Sequence, residues 1–422
     1  MFKSRSSWGV WMEIRTWLAG CSVFCALWTT QTPAHAEPQG GVRQGASLSG
    51  AAFGATRNGD ADASLPLVRD TLNETVVGIP AGDVTLQTTV FKPDGAGPFP
   101  MIVFNHGKLA GDPHSQARSR PLALAREFVR HGYVVVVPNR RGFADSGGKY
   151  AGNGCNVKAN GYAQADDVAA AVAYMSEQSY VDQSHIVVAG ASHGGLTTIA
   201  YGARDAVGAP GVRGLINFSG GLRQDECAGW QKNLTDAFGT YGEQVRLPSL
   251  WLYGANDSVW PGPLADEMFT AFSERGAKAQ MVNFGNYKND AHRLVGDRDG
   301  VQIWWPRVKA FLAQIGMPTA VEYQVSELQA PESSGYASLD SVSAVPYVDE
   351  SGRAAYRDFL KQYSSRAFAV SNLGAWSWAE GGDDPMSVAL AGCQKESHGV
   401  CRLYAVDSAV VWHDDSTQTA SR

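Results

Sequence analysis

Between residues 100 and 314 the chain alternates apolar segments with segments of helical periodicity. The apolar segments are PMIVFNHG, YVVVVPNRRG, HIVVAG, VRGLINFSG, LPSLWLYGAND and AQMVNFGN, and helical stretches such as RPLALAREFVRHG and ADDVAAAVAYMSEQ separate them. Strands that are apolar throughout are typical of parallel sheets covered by helices on both faces. The sequence therefore predicts an α/β fold with a mostly parallel sheet, in which a ligand binds beyond the carboxyl ends of the strands.

The N-terminal part differs in composition from this alternating segment. Residues 1–36 carry basic residues, an apolar run and a final AHA, which together are typical of a secretory signal peptide starting at Met1 or Met12. The run is too short to span a bilayer, so we expect no stable membrane insertion. LAGC, ending at Cys21, is a competing lipoprotein signal, although most of the apolar run follows that cysteine. We expect an exported protein, either periplasmic or secreted.

The rest of the chain divides into four segments. A Gly-, Ala- and Ser-rich leader covers 37–65, the alternating segment covers 66–317, a linker containing ELQAPESSGYASLD covers 318–340, and a C-terminal region covers 341–415. In the last of these, AAYRDFLKQY, AFAVSN, PMSVALAGC and CRLYAVDSAVVWHDD predict a helix, a strand, a helix and a strand. The sequence thus predicts a small α+β appendage after the main domain.

The cysteines and the charge narrow the class of protein. Four of the six cysteines follow the signal segment, namely Cys155, Cys227, Cys393 and Cys401. An even number in an exported chain favours disulfides, and the spacing of CQKESHGVC favours Cys393 with Cys401, leaving Cys155 with Cys227; free thiols are the alternative. No C-x-x-C or His/Cys cluster indicates a metal site. The formal net charge of −6 argues against a nucleic-acid partner.

Ser192 lies in the pattern G-x-S-x-G, within IVVAGASHGG. This pattern is typical of a nucleophile elbow, a strained strand-to-helix turn that exposes a serine hydroxyl at the carboxyl edge of a sheet. The plain alternative is a tight turn that needs glycines. Five residues alone do not decide between the two, so the rest of the catalytic machinery has to be found elsewhere in the chain.

A nucleophilic serine needs a histidine as base and a carboxylate to orient that histidine, in the chain order serine, acid, histidine. Asp257 follows the apolar strand LWLYG, and His292 follows the strand AQMVNF, so both fall at the same sheet edge as Ser192. Asp257 as an ordinary turn residue and His292 as a helix-start residue are the alternatives. Asp290 is a second candidate acid, although two positions from His292 is an awkward spacing. His131 is expected at the surface.

Acyl transfer also needs donors for the oxyanion. One is expected from the backbone N–H of His193, which follows the nucleophile, and the other from the backbone N–H of Lys108, after the strand ending in His106-Gly107. We expect the ring of His106 to shape this loop, and the backbone of His193 to matter more than its ring.

Taken together, FNHG, PNRRGFADSGG, GASHGG, LYGANDSVWP and DAHRL make residues 66–317 resemble an α/β-hydrolase, nearest the dienelactone hydrolase branch and its exported relatives. NRRGFADSGG is similar to the family loop D-x-R-G-x-G-x-S, with Asn139 in place of the aspartate. Dienelactone hydrolases use a cysteine nucleophile, whereas this chain has Ser192. The resemblance therefore implies an esterase or peptidase relative more than an enzyme for dienelactones.

The sequence predicts an exported serine hydrolase, a carboxylic-ester hydrolase that works through an acyl-enzyme. Its catalytic residues are Ser192, Asp257 and His292, and no cofactor is expected. The partner is a small-molecule ester or a peptide, and the oligomeric state is left open. A peptidase for short peptides and a non-catalytic cell-envelope binding protein on a hydrolase scaffold are the alternative functions. A binding protein is expected to have a broken triad, whereas all three positions are filled here.

Overall fold

The computed structural model describes residues 67–68, 72–109, 111–204, 211–325, 331–362, 366–380 and 385–414. The predicted signal peptide with Cys21, the predicted leader and the tail after 414 lie outside these residues.

The secondary structure of the described residues follows the predicted alternation. The strands are β1 (Leu67–Val68), β2 (Thr75–Ala81), β3 (Val84–Phe91), β4 (Phe99–Asn105), β5 (Val134–Pro138), β6 (Val181–Ala191), β7 (Val212–Phe218), β8 (Ser249–Tyr253), β9 (Ala279–Asn283), β10 (Gln324–Val325), β11 (Arg366–Ser371), β12 (Trp376–Glu380), β13 (Cys401–Val406) and β14 (Ala409–Val410). The helices are α1 (Leu122–Arg130), α2 (Val157–Ser176), α3 (His193–Gly202), α4 (Trp230–Gln244), α5 (Gly262–Ser273), α6 (Val301–Gln314), α7 (Glu350–Leu360) and α8 (Pro385–Glu396).

The main sheet has eight strands in the order β2-β3-β5-β4-β6-β7-β8-β9. The six strands from β5 to β9 pair in parallel, whereas β3 is antiparallel to both of its neighbours. The carboxyl ends of the parallel strands therefore meet at one edge, where the loops carrying the predicted site residues emerge. The predicted mostly parallel α/β sheet is confirmed.

Both faces of this sheet are buried, which explains why its strands are apolar throughout. In β4, Met101 and Val103 face one core and Ile102 and Phe104 face the other. Helices α2, α3, α4 and α5 cover the first face, and α1 and α6 cover the second. His131 ends α1 on the second side and is only 2% exposed, so its predicted surface position is wrong. Its ring packs against Trp305 of α6, with centroids 4.3 Å apart.

The C-terminal region forms a second sheet in the order β12-β11-β13-β14, which is antiparallel throughout. Helix α7 covers one face of β11 and α8 covers the other, and a disulfide joins Cys393 of α8 to Cys401 of β13. This sheet agrees with the predicted α+β appendage and adds the edge strand β12, which the sequence did not predict. Part of the predicted linker packs on the main domain, because β10 pairs in parallel with β1.

Candidate active site

Ser192 lies in the single-residue turn between β6 and α3. Its φ of 53° and ψ of −122° are a left-handed conformation that costs a non-glycine residue about 1–3 kcal/mol. Its neighbours hold it there, because its N–H donates to the carbonyl of Phe218 at 3.0 Å and its own carbonyl accepts from Gly221 at 2.9 Å. The turn therefore has the geometry of the predicted elbow.

The glycines of G-x-S-x-G are required by close packing around this turn. A Cβ on Gly190 would lie 2.2 Å from the carbonyl oxygen of Gly194. A Cβ on Gly194 would lie 1.9 Å from the carbonyl oxygen of Asn105, at the end of β4. Any side chain at either position would push the helix away from the sheet and displace the serine.

Asp257 and His292 meet at the same sheet edge. The Asp257 carboxylate is buried beyond the end of β8 and accepts hydrogen bonds from the backbone N–H groups of Val259 and Trp260, each at 2.9 Å. Both of its oxygens lie 3.1 Å from Nδ1 of His292, which stands in the loop after β9. Because the carboxylate holds Nδ1, Nε2 is the ring nitrogen left to exchange a proton.

Asp290, the second candidate acid, is occupied elsewhere. Its carboxylate accepts from the backbone N–H of Ser258 at 3.0 Å, the hydroxyl of Ser258 at 2.7 Å and the backbone N–H of His292 at 3.0 Å. Burial opposes ionisation of this carboxyl, but these hydrogen bonds outweigh burial and hold its pKa below the usual value. Asp290 therefore fixes the loop that carries His292 and does not contact the imidazole nitrogens.

Among the described residues no hydrogen bond joins Ser192 to His292, and the two are connected through Trp260 and Gly221. The Trp260 ring lies edge-on to the His292 ring, with centroids 6.1 Å apart. It is also close to Gly221, where an added Cβ would lie 2.6 Å from the indole. Gly221 in turn donates to the Ser192 carbonyl. In unliganded enzymes the bond between nucleophile and base is often long and shortens only with substrate.

The predicted oxyanion donors flank Ser192. A Cβ on Gly107 would lie 3.4 Å from Cβ of Ser192, so the loop from β4 that carries Lys108 runs directly beside Ser192. His193 is the first residue of α3, where backbone N–H groups have no acceptor within the helix. Both predicted donors thus lie on segments that border the serine.

A buried polar network beneath this turn is the part of the site that sequence analysis missed. Arg140 follows β5, is fully buried and contacts both His106 and His193. Burial, reinforced by the positive charge of Arg140, lowers the pKa of both histidines well below the ordinary value. The ring of His193 is therefore held in a hydrogen-bonded network that the sequence did not predict. The sequence signal for Arg140 was the first arginine of NRRG, and nothing in that motif indicated burial.

The segment after β7 rises on the same side as the site. It contains α4 and is joined by the disulfide Cys155–Cys227 to the loop before α2. Gln224 donates to the carbonyl of Gly154 at 2.6 Å, and Trp230 packs edge-on against Trp260 with centroids 6.2 Å apart. Trp260 connects this insertion to His292, so the insertion borders the site.

Two further observations on the described residues concern metal binding and membrane-spanning helices. Within the described ranges, no group of three His, Cys, Asp or Glu side chains is placed to hold a metal ion. In the same part of the chain, no helix combines the length and apolar character needed to cross a membrane.

Residues 122–206, which include the elbow, match the prolyl oligopeptidase family. Among curated proteins, the quorum-quenching protein AidA of Acinetobacter baumannii is 33% identical over 125 residues, which are 30% of this chain. The alignment spans 38% of that relative's length.

The chain is also similar to solved structures at low identity. An esterase from Pyrococcus furiosus is 16% identical, with 57% of this chain and 90% of that one covered and a TM-score of 0.42. An acylaminoacyl peptidase from Pyrococcus horikoshii is 16% identical, with 60% and 42% covered and a TM-score of 0.44. A Klebsiella pneumoniae protein assigned as a dienelactone hydrolase is 19% identical, with 57% and 98% covered and a TM-score of 0.41.

Proposed function

We propose that this chain, an α/β-hydrolase that resembles the dienelactone hydrolase branch, is a serine hydrolase that cleaves carboxylic esters through an acyl-enzyme. The observation that carries the proposal is the strained turn at Ser192 beside an Asp257–His292 pair at the same sheet edge. A strained backbone persists only where its surroundings hold it, and such conformations cluster at active sites.

The roles of the residues follow from their contacts. Nε2 of His292 takes the proton of the Ser192 hydroxyl while Oγ attacks the substrate carbonyl carbon, and the carbonyl electron pair moves onto oxygen. The backbone N–H groups of His193 and Lys108 stabilise that oxyanion. As the C–O bond breaks, His292 returns the proton to the departing alcohol, and a water molecule then releases the acid by the same steps. Asp257 orients His292 and stabilises the imidazolium.

A peptidase for short peptides is the second candidate function, because residues 122–206 match the prolyl oligopeptidase family. Ester and amide cleavage share the same three side chains, so only the leaving group separates these functions. The name of the relative AidA speaks of quorum quenching, which makes signalling molecules reasonable members of a substrate panel.

We also propose that the protein is exported to the periplasm or secreted. The disulfides Cys155–Cys227 and Cys393–Cys401 support this location, because such bonds persist in oxidising compartments.

The test of the proposed function combines labelling with turnover. Wild-type protein should react with a fluorophosphonate and hydrolyse members of an ester panel faster than matched amides. Ser192→Ala and His292→Ala should remain folded and lose turnover, on the order of a millionfold for residues that act as a unit. Turnover by Ser192→Ala equal to that of the wild type would end the proposal. Faster cleavage of peptides than of esters would favour the peptidase, and an unlabelled, inactive wild type would favour a binding protein.

A further inference from the structure

Arg140 is a buried cation with no carboxylate at ion-pair distance among the described residues; the buried Asp167, which pairs with Arg141, acts on it only at longer range. Its side chain is fully enclosed, and its guanidinium donates to the Gln164 amide oxygen at 3.1 Å and to the His106 carbonyl at 2.8 Å. A third contact, of 3.3 Å, joins Nη2 to Nδ1 of His193. Nη1 has no hydrogen-bond partner among the described residues, and none of their carboxylates forms an ion pair with Arg140.

The neighbouring Arg141 shows what an ordinary structural arginine looks like in this loop. Its guanidinium pairs with the buried carboxylate of Asp167 at 2.9 Å. Burial lowers the pKa of Arg140 only to about 10, so Arg140 keeps its charge at neutral pH. Moving an arginine side chain out of water without a carboxylate partner carries a desolvation penalty on the order of several kcal/mol, even after the protein relaxes. The fold therefore accepts a cost at Arg140 that it avoids at Arg141.

The contacts of Arg140 fix the state of both neighbouring histidines. Because arginine only donates, Nδ1 of His193 accepts, and its Nε2 carries the proton that is donated to the Asn160 amide oxygen at 2.7 Å. For His106, Nε2 accepts from the backbone N–H of Arg140 at 3.3 Å and Nδ1 donates to the carbonyl of Gly107 at 2.7 Å. Both rings are neutral, so the guanidinium is the one charged group of this network.

These contacts reach both segments of the proposed oxyanion hole, the loop after β4 and the start of α3. One bond of Arg140 holds the His106 carbonyl, two residues before Lys108, and the other holds the ring of His193, whose own N–H is the second donor. A guanidinium presents its donors in a fixed planar fork, so it sets the spacing between the two segments it bridges. The same guanidinium is thus bonded to both segments that carry the proposed oxyanion donors.

We propose that Arg140 is a positioning residue that holds the two oxyanion-hole segments at a fixed spacing, and whose buried charge favours the anionic tetrahedral intermediate over the neutral substrate. This inference rests on the proposed serine-hydrolase function. In the resting protein no carboxylate of the described residues lies within ion-pair distance of this charge, which gains a close anion when the carbonyl oxygen becomes negative. An interaction made mainly in the transition state raises kcat with little effect on KM.

The experiment compares Arg140→Met with Arg141→Met in the full chain. Removing one oxyanion donor costs about 100- to 1000-fold in kcat, and a residue that positions two donors should cost on the order of 10- to 100-fold. For Arg140→Met we expect that loss in kcat for a p-nitrophenyl ester and an unchanged KM. Affinity for a trifluoromethyl ketone, which forms the tetrahedral adduct on Ser192, should fall by the same factor. Arg141→Met should lower the Tm and leave kcat and ketone affinity unchanged.

Several outcomes would overturn the inference. Wild-type kcat in a folded Arg140→Met protein would do so, as would a loss confined to KM, or a kcat loss without a matching loss of ketone affinity. If Arg140→Met does not fold, Arg140→Lys keeps the charge and loses the fork, and its kcat should lie clearly below that of the wild type; equal kcat rejects the proposal. A wild type that neither reacts with fluorophosphonate nor turns over ester ends the proposed function and this inference together.

Discussion

At the scale of single residues, Asp257 and Asp290 are both candidates for the carboxylate that orients His292, and their hydrogen bonds show that they have different roles. Asp257 presents both oxygens to Nδ1 of His292, whereas Asp290 accepts from Ser258 and from the backbone of His292. The contact with Asp257 fixes the tautomer of His292, whereas the hydrogen bonds of Asp290 fix only the position of the loop that carries His292.

Asp257→Asn should therefore retain its fold and lose kcat by about 10⁴-fold, as expected when an amide orients the wrong tautomer of the base. Asp290→Asn is the matched control. It should lower the Tm and reduce kcat much less, since the loop loosens while the Asp257–His292 pair survives. Steady-state kinetics on both variants, with circular dichroism for folding, makes the comparison. A larger loss of kcat in Asp290→Asn would reverse the assignment.

His131 gives a prediction about pH and stability. Burial lowers its pKa from 6.5 to about 4, so between these values the unfolded chain binds a proton that the folded chain does not. The stability contributed by the neutral ring is complete above pH 6.5, decreases as the pH falls and is lost below about 4. At 1.36 kcal/mol per pKa unit, the whole effect is about 3 kcal/mol.

His131→Phe should remove that component while keeping the aromatic contact with Trp305. Urea unfolding at a series of pH values between 7 and 4 measures it. The free energy of unfolding of the wild type should fall by about 3 kcal/mol more than that of the variant over this interval. Parallel curves for the two proteins would show that His131 is not the titrating group.

At the scale of elements, the insertion that carries α4 depends on a covalent link. The bond Cys155–Cys227 closes a loop with a sequence separation of 72, and the segment it pins contacts Trp260 beside His292. The second bond, Cys393–Cys401, has a separation of 8 and lies within the C-terminal region. The two bonds therefore constrain different parts of the molecule.

Replacing Cys155 and Cys227 together by serine should destabilise the protein by up to about 4 kcal/mol on the chain-entropy account. It should also lower activity or broaden the range of esters accepted before the sheet unfolds. The matched control replaces Cys393 and Cys401 by serine, which should leave the ester profile unchanged. Thermal unfolding and the ester panel together decide the matter. A changed profile in the control, or none in the first variant, would contradict this account of the insertion.

At the scale of the whole molecule, the C-terminal region contacts the loop that carries His292. Glu380 ends the edge strand β12 and forms an ion pair with Arg293, the residue after His292. The Glu380 side chain is 9% exposed and that of Arg293 is 24% exposed, so water screens this pair less than a surface pair. The appended sheet thus supports the loop that carries the proposed base.

Glu380→Gln should lower the free energy of unfolding by about 1.5 kcal/mol, the scale of a hydrogen bond to a charged group, and should also lower kcat. The matched control is Glu350→Gln, in which the carboxylate is 70% exposed and pairs with Arg357. An exposed pair contributes about 0–1 kcal/mol, and this one is on α7, so its loss should leave kcat unchanged. Equal effects of the two substitutions on stability and turnover would show that the Glu380–Arg293 pair does not support the loop that carries His292.

The sequence by itself determined the α/β architecture, because strands buried on two faces must be apolar throughout and connecting helices must be amphipathic. It also identified Ser192, Asp257 and His292 as candidates, because each follows the carboxyl end of a strand and parallel strands bring those ends to one edge. Contacts between segments that are distant in the chain produce no recurring pattern of residues in the sequence. Only the tertiary structure decided that Asp290 fixes a loop, that His131 is buried, that β12 joins the second sheet, and that Arg140 contacts His193, the residue after Ser192. Burial and hydrogen-bond partners are properties of packing, and no local pattern of residues encodes them.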